Sequence, residues 1–444
     1  GDHRDLHSFP TRRSSDLGCP IEQQIPEYLQ CVVRGDYDRA FEIIAIDNAL
    51  PAVTGEICSH VCQTKCTRID YDDPLQIRQA KLLASQNAQQ KYIDSLKPVP
   101  LRTDKKVAVI GAGPGGIAAG VYLRRNGVDV TVYERREKPM GVVQYLIPEF
   151  RISQAAIDLD YQMAVKTGVR FRFGVKDIDI QRLKSEYDFV VIATGAWKEG
   201  VCPVKRGGDN TIDALNFLER SKAADCKLDL GKSVAVIGGG DVAMDCARAA
   251  LRANGSPKVT IVYRRTREFM PAQPEEIRLA LQDGVELLEL LAPVSYENGL
   301  LTVEVMKLGD KGEDGRRSVV PTGETKTLPF DTVINAVGAR VDTELFACDA
   351  IDRTGSGYAV VDEQSCQTSM ESVYISGDCR RGAATIVEAM ADSKRIARDI
   401  LAKLGLSHDF VRVQRETDAE NIRSARGVLS GKLCNSNDAA RCLN

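Results

Sequence analysis

Two stretches of the chain share one pattern of apolar runs separated by a small-residue turn. In the first, residues 105–134 read KKVAVIGAGPGGIAAGVYLRRNGVDVTVYE. The unbroken apolar run at 107–110 is typical of a parallel strand that is covered on both faces. A glycine turn, a segment of helical composition and a second apolar strand follow it. The pattern therefore predicts the strand, turn, helix and strand that bind a dinucleotide.

The glycines of this turn have the spacing G-x-G-x-x-G. Gly111 allows the tight turn, Gly113 lets a pyrophosphate approach the backbone, and Gly116 lets the helix pack on the strand. The helix N-terminus then faces the phosphates. Glu134 ends the second strand, where an acid can hydrogen-bond a ribose hydroxyl. The alternative is an ordinary glycine-bearing turn, which the two flanking strands and the acid disfavour.

Residues 233–265, SVAVIGGGDVAMDCARAALRANGSPKVTIVYRR, repeat the pattern. In this copy the strand end differs, because Arg264 stands where the first copy has Glu134, and Arg265 follows it. Loss of the acid and gain of arginine favour a 2′-phosphate, and hence NADPH over NADH. A solvated basic strand end is the alternative interpretation. The turn has the form G-x-G-x-x-A, and its residues predicted to contact the cofactor are Gly238, Gly240, Asp241 and Ala243.

Three later apolar runs also end in small residues: YDFVVIATGA at 187–196, FDTVINAVGARVD at 330–342 and SVYISGDC at 372–379. Residues 383–403 then predict one amphipathic helix. In a flavoprotein, Asp378 can bond the ribityl hydroxyls, and the N-terminus of that helix can stabilise charge near flavin N1. A helix N-cap is a second role for Asp378 and is compatible with the first.

Further residues around the first fold are also predicted to contact a cofactor. For Arg151 the sequence leaves two roles equally open, a contact to a cofactor phosphate and an ion pair with a carboxylate. Together with Glu134 and Asp378, the set comprises Arg135, Gly141, Arg151, Thr194, Gly195, Gly377, Ala384 and Thr385.

Two nucleotide folds, the second inserted in the first, imply hydride transfer between two bound cofactors. The first fold carries the ribose acid and pairs with the late GDC strand, so we expect it to hold FAD. The second is expected to hold NADPH. Nicotinamide C4 and flavin N5 carry this chemistry, so no catalytic side chain is predicted.

Cysteines are concentrated in residues 18–97, which otherwise have helical character. Cys58, Cys62 and Cys66 are separated by three residues each, and a Cys-Pro pair at Cys19 precedes them. Thiolates at such spacing, with one Cys before Pro, suit a cubane iron–sulfur cluster. Zinc and free thiols are the alternatives; structural zinc sites favour two pairs of closely spaced cysteines. His60 lies in the run and is expected to be an exposed loop residue rather than a ligand.

Composition narrows the class of protein further. The chain has 444 residues, is 43% hydrophobic and carries a net charge of −3, which disfavours nucleic-acid partners. No apolar run approaches the roughly 20 residues of a membrane span. Thirteen cysteines in a chain of this length differ from a secreted disulfide scaffold and favour cytoplasmic metal or redox chemistry. Four histidines without a triad or zincin arrangement disfavour a hydrolase.

Both ends of the chain differ in character from the rest. HSFPTRRSSDL, within residues 1–17, looks like a translated sequencing adapter, and we expect this segment to be a non-native artefact. Beyond Phe410 the chain is polar and stops at RCLN. We therefore expect a fragment that is cut at both ends.

Several motifs together resemble one family. They are GCP at 18–20, IPEYL at 25–29, NALPAVTGEICSHVCQTKCTR at 48–68, GAGPGG at 111–116, IPEFRIS at 147–153, GGGDVAMDCAR at 238–248, YRRTREFMPA at 263–272 and the GDC strand. From about residue 18 to 406 the chain resembles the small (β) subunit family of NADPH-dependent glutamate synthase. The family includes the flavoprotein arm of dihydropyrimidine dehydrogenase and the flavoprotein chain of the putative selenate reductase, which CTRIDYDDPLQIRQAKL resembles most.

The resemblance implies two [4Fe-4S] clusters in an N-terminal helical domain, FAD, NADPH, and electron delivery to a partner subunit or domain. Cys19, Cys58, Cys62 and Cys66 fall on its ligand positions. The family carries further cysteines upstream of GCP, where this chain has the artefact, so one cluster is expected to be incomplete. Met140 precedes Gly141 where the family usually has Gly-Gly. The terminal RCLN resembles the opening of a ferredoxin-like module.

The sequence therefore predicts an α/β protein with two Rossmann-like dinucleotide-binding domains, one inserted in the other, preceded by an α-helical iron–sulfur domain. The predicted function is NADPH-driven electron input through FAD and [4Fe-4S]. One alternative is a thioredoxin-reductase-like disulfide reductase, which would need a Cys-x-x-Cys motif. The other alternative is a truncated, non-catalytic scaffold. The predicted domains are the artefact at 1–17, iron–sulfur at 18–97, FAD at 104–195 and 336–405, NADPH at 196–335, and a tail at 406–444.

Overall fold

The computed structural model describes residues 18–70, 72–176, 178–312, 317–346 and 351–413. The predicted artefact and the tail from residue 414 onward lie outside these ranges. The chain divides into two compact units. The first comprises the described residues up to 141, Ile152–Gly195 and those from Thr343 onward, and the second comprises Val142–Arg151 and Ala196–Asp342.

A five-stranded parallel sheet forms the centre of the first unit. Its order is β15-β4-β1-β2-β3, so the strand before the first glycine turn is the central one. Apolar residues of β1 are buried on both faces, as the unbroken run predicts. The strands are β1 Lys106–Ile110, β2 Asp129–Tyr133, β3 Arg170–Arg172, β4 Phe189–Ile192 and β15 Val373–Ile375.

Helices of the first unit form two groups. Four precede the sheet and pack against one another. One apolar cluster connects this group to the later helix α7, Gln154–Thr167, and contains Phe41, Ala88, Ile93 and Met163. The N-terminal group is α1 Ile25–Val33, α2 Tyr37–Asp47, α3 Pro51–Ile57 and α4 Ile77–Ser95. The later helices are α5 Pro114–Arg125, α7 Gln154–Thr167, α8 Ile180–Glu186, the short α12 Asp378–Arg381 and α13 Ile386–Lys403.

Three consecutive polar residues of α13 are buried against the rest of the first unit. Asp392 accepts a hydrogen bond from the Gly377 backbone N–H at 3.0 Å. Ser393 donates to the Gly115 carbonyl at 2.6 Å. The Lys394 ammonium donates to the Ile21 carbonyl at 2.8 Å, and pairs with Asp47 at the end of α2.

The second unit repeats the parallel sheet in the order β6-β13-β7-β8-β9, with an antiparallel sheet β10-β11-β12 and a pair β14-β5. Its strands are β5 Lys198–Glu199, β6 Ile212–Asp213, β7 Ser233–Ile237, β8 Lys258–Tyr263, β9 Glu286–Glu289, β10 Leu291–Glu297, β11 Leu300–Lys311, β12 Arg317–Pro329, β13 Thr332–Asn335 and β14 Ala339–Arg340. Its helices are α6 Val142–Tyr145, α9 Ala214–Ala223, α10 Asp241–Leu251 and α11 Pro274–Gln282.

The predicted fold class is confirmed, with two parallel-sheet nucleotide folds and a helical N-terminal segment. The compact units differ from the predicted domains in three ways. Residues 18–97, predicted as a separate domain, lie in the same unit as the FAD fold. Val142–Arg151 belongs to the second unit although the prediction placed it with the FAD fold, and the first unit resumes at Thr343 rather than at residue 336. In the described part of the chain, no helix combines the length and apolar character that a membrane crossing requires.

Candidate functional site

The first glycine turn follows the carboxyl end of β1 and leads directly into α5. Gly111 has φ +104°, and a Cβ added there would lie 2.4 Å from the Ala193 carbonyl oxygen. A Cβ at Gly116 would lie 1.8 Å from the Gly111 carbonyl oxygen, which excludes any larger residue. At Gly113 the same Cβ meets nothing within 4 Å. No side chain caps α5 there, so backbone N–H groups face an open cradle that fits a pyrophosphate.

Glu134 is buried beside this turn, at the end of β2. Its Oε2 accepts a hydrogen bond from the Ala112 N–H at 2.7 Å, inside the glycine turn. Its Oε1 accepts from the Arg136 N–H at 2.9 Å. A carboxylate has about four lone-pair positions, so these two bonds leave acceptor capacity for a ribose hydroxyl. Arg135, between the two, is exposed.

Met140 and Gly141 form a second wall of the cradle. The Met140 N–H donates to the Ala112 carbonyl at 2.7 Å. A Cβ at Gly141 would lie 3.1 Å from the Cα of Gly113. Met140 is fully buried and has φ +75°, a left-handed conformation that costs a methionine more than a glycine. Met140, which stands where the family usually has the first glycine of a Gly-Gly pair, therefore occupies a strained backbone position.

Two further turns lie at the carboxyl edge of the same sheet. After β4 the chain passes through Thr194 to Gly195, which has φ +76°. After β15 it reaches Gly377 and Asp378, whose carboxylate accepts a hydrogen bond from the Ala384 N–H at 3.1 Å. Burial raises the pKa of Asp378 to about 6.

Thr385 caps α13 directly after Ala384. Its hydroxyl accepts from the Glu388 N–H, while the Glu388 carboxylate accepts from the Thr385 N–H at 2.9 Å. This capping box ends the turn that Asp378 begins. The structure thus brings the predicted flavin residues of β1, β2, β4 and β15 to one sheet edge.

Cys19, Cys58 and Cys62 converge on one cavity of the N-terminal helices, which Lys81 and Val387 also line. Burial raises the pKa of the Cys19 thiol. Burial, reinforced by the two neighbouring thiols, raises the pKa of Cys62 to about 12. A bound metal would supply the positive charge that converts buried thiols of this kind to thiolates.

These three cysteines fit a thiolate-held cluster. Within the described ranges no three Cys, His, Asp or Glu side chains are close enough to share one metal ion. The ligands of a cubane cluster need not share one metal ion, because each thiolate binds a different iron atom. Cys66 is buried but does not line this cavity. His60 does line it, with Nδ1 3.1 Å from the Cys58 carbonyl oxygen.

The second glycine turn, after β7, has the same construction. Gly238 has φ +147°, and a Cβ there would lie 2.3 Å from the Ala336 carbonyl oxygen. Gly240 precedes α10 and provides no side-chain cap. The Asp241 carboxylate accepts from the Gln273 N–H at 2.8 Å, and Ala243 is fully buried under the turn.

Arg264 and Arg265 follow β8 and differ in their surroundings. Arg264 is exposed, and its guanidinium makes no hydrogen bond or ion pair with the described residues. Arg265 is half-buried and donates its Nε–H to the Arg317 carbonyl at 3.0 Å. An uncommitted guanidinium at this strand end fits a 2′-phosphate.

Arg151 lies in the second unit, in a buried ion-pair network. Its guanidinium contacts both Asp245 oxygens at 2.8 Å and Glu276 at 2.8 Å. Burial raises the pKa of Asp245 to about 6, although Arg151 opposes the shift. Of its two predicted roles, the structure shows the carboxylate pair.

Asn335 is a candidate site residue that the sequence did not single out. It ends β13, is 4% exposed, and its Oδ1 has no hydrogen-bond partner among the described residues. An unpaired buried acceptor costs about 1–3 kcal/mol, so a ligand donor is the natural partner. β13 pairs in parallel with β7, and the strand order reverses between them, which is the topological switch point where nucleotides bind. The signal was present in VINAVG, where one polar residue interrupts an apolar strand.

Comparison with known proteins identifies the class. Residues 105–393 match the pyridine nucleotide-disulphide oxidoreductase family. Residues 11–93 match dihydropyrimidine dehydrogenase domain II, 4Fe-4S cluster. Among solved structures, FprA from Mycobacterium tuberculosis in complex with NADPH has a TM-score of 0.57 and 17% identity over 76% of this chain and 91% of that chain. At this identity the likeness shows the fold alone.

The curated relatives narrow the family. The glutamate synthase [NADPH] small chain of Halomonas elongata is 31% identical over 90% of this chain and 89% of its own length. The putative oxidoreductase YgfK of Escherichia coli O157:H7 is 40% identical over 96% of this chain, which spans only 42% of YgfK. The chain belongs to the pyridine nucleotide-disulphide oxidoreductases, in the group that contains the glutamate synthase small chain.

This membership confirms the predicted family. It also confirms the predicted cofactor classes, which are FAD, a nicotinamide nucleotide and a [4Fe-4S] cluster. The residues around both glycine turns and the cysteine cavity fit these groups on their own geometry. The chain is an oxidoreductase of the flavoprotein, iron–sulfur class.

The open cradle at Gly113 leads to the first test. Gly113→Ala adds a methyl group that meets no protein atom, so we expect a normally folded protein. The methyl group occupies the space that a pyrophosphate must enter, so FAD affinity should fall at least about tenfold. FAD bound per chain is measured by absorbance after gel filtration.

Gly355→Ala is the matched control, because its added Cβ also meets nothing within 4 Å and its φ is not left-handed. Its FAD content should equal that of the unmodified protein. Full retention of FAD by Gly113→Ala would contradict the assignment of this turn as the pyrophosphate cradle.

Proposed function

We propose that the protein is an NADPH-oxidising electron-input flavoprotein that passes electrons through FAD and [4Fe-4S] to a partner subunit or domain. One observation carries the proposal. Val387 lines the cysteine cavity, and it lies two residues after Thr385, the cap of α13 at the proposed flavin edge. The N-terminus of one helix therefore borders both sites within the first unit.

In this proposal the first unit holds FAD by its backbone. Gly111, Gly113 and Gly116 form the pyrophosphate cradle, and Gly141 closes its side. Glu134 accepts from the adenosine ribose. When bound there, FAD would supply the chemistry that links two-electron transfer from the nicotinamide to one-electron transfer to the cluster.

The remaining flavin contacts lie at the other turns of that sheet edge. Asp378 accepts from the ribityl hydroxyls, and its single backbone bond leaves acceptor positions for them. Thr194 and Gly195 let the backbone approach the ring, while Ala384 and Thr385 direct the α13 N-terminus toward developing negative charge.

The second unit is proposed to bind NADPH. Gly238, Gly240 and Ala243 form its pyrophosphate turn, and Asp241 holds that turn to the Gln273 backbone. Arg264, with Arg265 beside it, pairs with the 2′-phosphate. Asn335 accepts from a nucleotide N–H donor at the strand switch point, which would satisfy its buried oxygen.

In this proposal, electrons leave the protein through the cluster that the cysteines hold. Cys19, Cys58 and Cys62 supply thiolates from the cavity, and Cys66 is the remaining predicted ligand. The relative named above is itself a small chain, which supports a partner subunit as the acceptor. Cysteine usage supports a cytoplasmic location. The domain limits predicted from the sequence are retained as proposals.

Cys62→Ser tests the order of these sites. Loss of one thiolate should remove most of the bound iron and the reduced-cluster EPR signal, because serine is a poor ligand for the cluster. NADPH should still bleach the flavin at about 450 nm within about twofold of the normal rate, since no FAD contact changes. Iron content, EPR and stopped-flow absorbance give the three readouts.

Cys31→Ser is the control, because Cys31 lies on α1 outside the cavity. It should keep both iron and EPR signal. An unchanged cluster signal in Cys62→Ser would contradict the assignment of this cavity. A protein that binds FAD but that no nicotinamide nucleotide reduces would favour the non-catalytic scaffold.

Arg264→Gln tests the nucleotide preference. Removing a charge-assisted contact worth about 1.5–3 kcal/mol should raise the Kd for NADPH about tenfold to a hundredfold and leave NADH unchanged. Arg278→Gln removes another exposed arginine of the same unit and should change neither. Equal weakening of both nucleotides in Arg264→Gln would contradict a 2′-phosphate contact.

A further inference from the structure

Lys81 is a buried cation that the proposed function has not used. It lies on α4, is 3% exposed, and lines the same cavity as Cys19, Cys58 and Cys62. Its ammonium makes no hydrogen bond or ion pair with any described residue. An anionic group held in this cavity would be a favourable partner for the ammonium.

The position of Lys81 on α4 excludes an ordinary surface role. The buried face of this helix contains Ile77, Lys81, Ala84, Ser85 and Ala88, at the spacing of one helical stripe. Lys81 therefore lies on the buried face of α4 and not on its solvent face.

The carboxylate of Asp160, also in the first unit, is already committed to other partners. Asp160 accepts from the Ala52 N–H at 3.1 Å, the Val53 N–H at 2.8 Å and the Gln89 side chain at 2.7 Å. These bonds hold it at the N-terminus of α3, where a helix dipole favours an anion. Lys81 forms no ion pair with Asp160, and it lines the cavity that contains the three thiols.

The charge of Lys81 lies next to the thiols, because Lys81 lines the same cavity as Cys19, Cys58 and Cys62. Arg78, one turn earlier on α4, donates to the Cys58 carbonyl at 3.2 Å and so supports the backbone of the cysteine loop. Lys81 differs from Arg78 because it has no such backbone partner.

We propose that Lys81 places its ammonium against the thiolate-held cluster and raises the reduction potential of that cluster. The inference rests on the cluster site of the proposed function. Reduction adds one electron, supplied in that function by the reduced flavin, and therefore one negative charge; no bond forms or breaks and no proton moves. A fixed positive charge in a low-dielectric cavity stabilises the reduced state more than the oxidised state.

The test compares neutral, charge-retaining and remote substitutions in the full chain. Lys81→Met and Lys81→Gln remove the charge at similar length, and Lys81→Arg retains it. Lys91→Met is the control on the same helix, because Lys91 is exposed and pairs with Asp38. Each protein is reconstituted anaerobically, its iron and acid-labile sulfide are counted, and a dithionite titration is followed by EPR.

We expect Lys81→Met and Lys81→Gln to lower the reduction equilibrium constant at least tenfold, which is about 59 mV for one electron. Lys81→Arg should recover at least half of that shift, and Lys91→Met should show none. An unchanged potential in a loaded neutral variant overturns the proposal.

Loading itself gives a second readout. Failure of both neutral variants to hold iron, with Lys81→Arg loaded and all three equally folded by circular dichroism, supports a required charge. Failure of all three overturns the proposal, because the lysine would then be needed for its shape. Absence of iron in the unmodified protein would instead defeat the cluster assignment of the proposed function.

Discussion

The buried polar face of α13 is the constraint on which the first unit depends. Asp392 and Ser393 are fully buried, and Lys394 is 2% exposed. Each has a partner on a different element, namely the Gly377 turn, the start of α5 and the end of α2. Loss of one partner of a buried charge pair costs about 3–5 kcal/mol. One helix, α13, therefore holds the glycine turn after β1, the turn at Gly377 and Asp378, and the N-terminal helices in place.

This arrangement explains how a small-residue turn and a cysteine loop from distant parts of the sequence come together in the first unit. The N-terminal helices provide the thiols, but their position relative to the sheet is determined by Asp47 and by Tyr122, whose hydroxyl donates to the Asp47 carbonyl at 2.6 Å. Val387 then lies in the cavity wall because α13 is already fixed at its N-terminus by the Thr385 capping box. The nucleotide unit needs no thiols of its own.

The sequence predicted those parts of the protein that local rules determine. Apolar runs and glycine spacing identified β1, β7 and the turns after them, because a parallel strand and a close backbone approach leave few residue choices. Cysteine spacing identified three thiols that the structure places together. The arginine at the end of β8 was found by comparing the two copies.

Residues whose meaning depends on tertiary packing were not accessible in that way. Asp392 and Lys394 have the composition of a solvated helix face, and only packing shows that they are buried. Arg151 was ambiguous because its carboxylate partners, Asp245 and Glu276, are far away in sequence. Lys81 did carry a signal, since it lies on the same helical stripe as Ile77 and Ala84, but its position beside the thiols of the cavity is visible only in three dimensions.

In the proposed function, electrons enter from NADPH and reach the cysteine cavity through the flavin. The most direct measurement adds NADPH, and separately NADH, to the reconstituted protein without oxygen, and follows flavin absorbance at about 450 nm together with EPR. We expect NADPH to bleach the flavin faster than NADH does, and we expect the EPR signal of a reduced cluster to follow. A flavin that neither nucleotide bleaches, or one that bleaches while a loaded cluster stays oxidised, would contradict it.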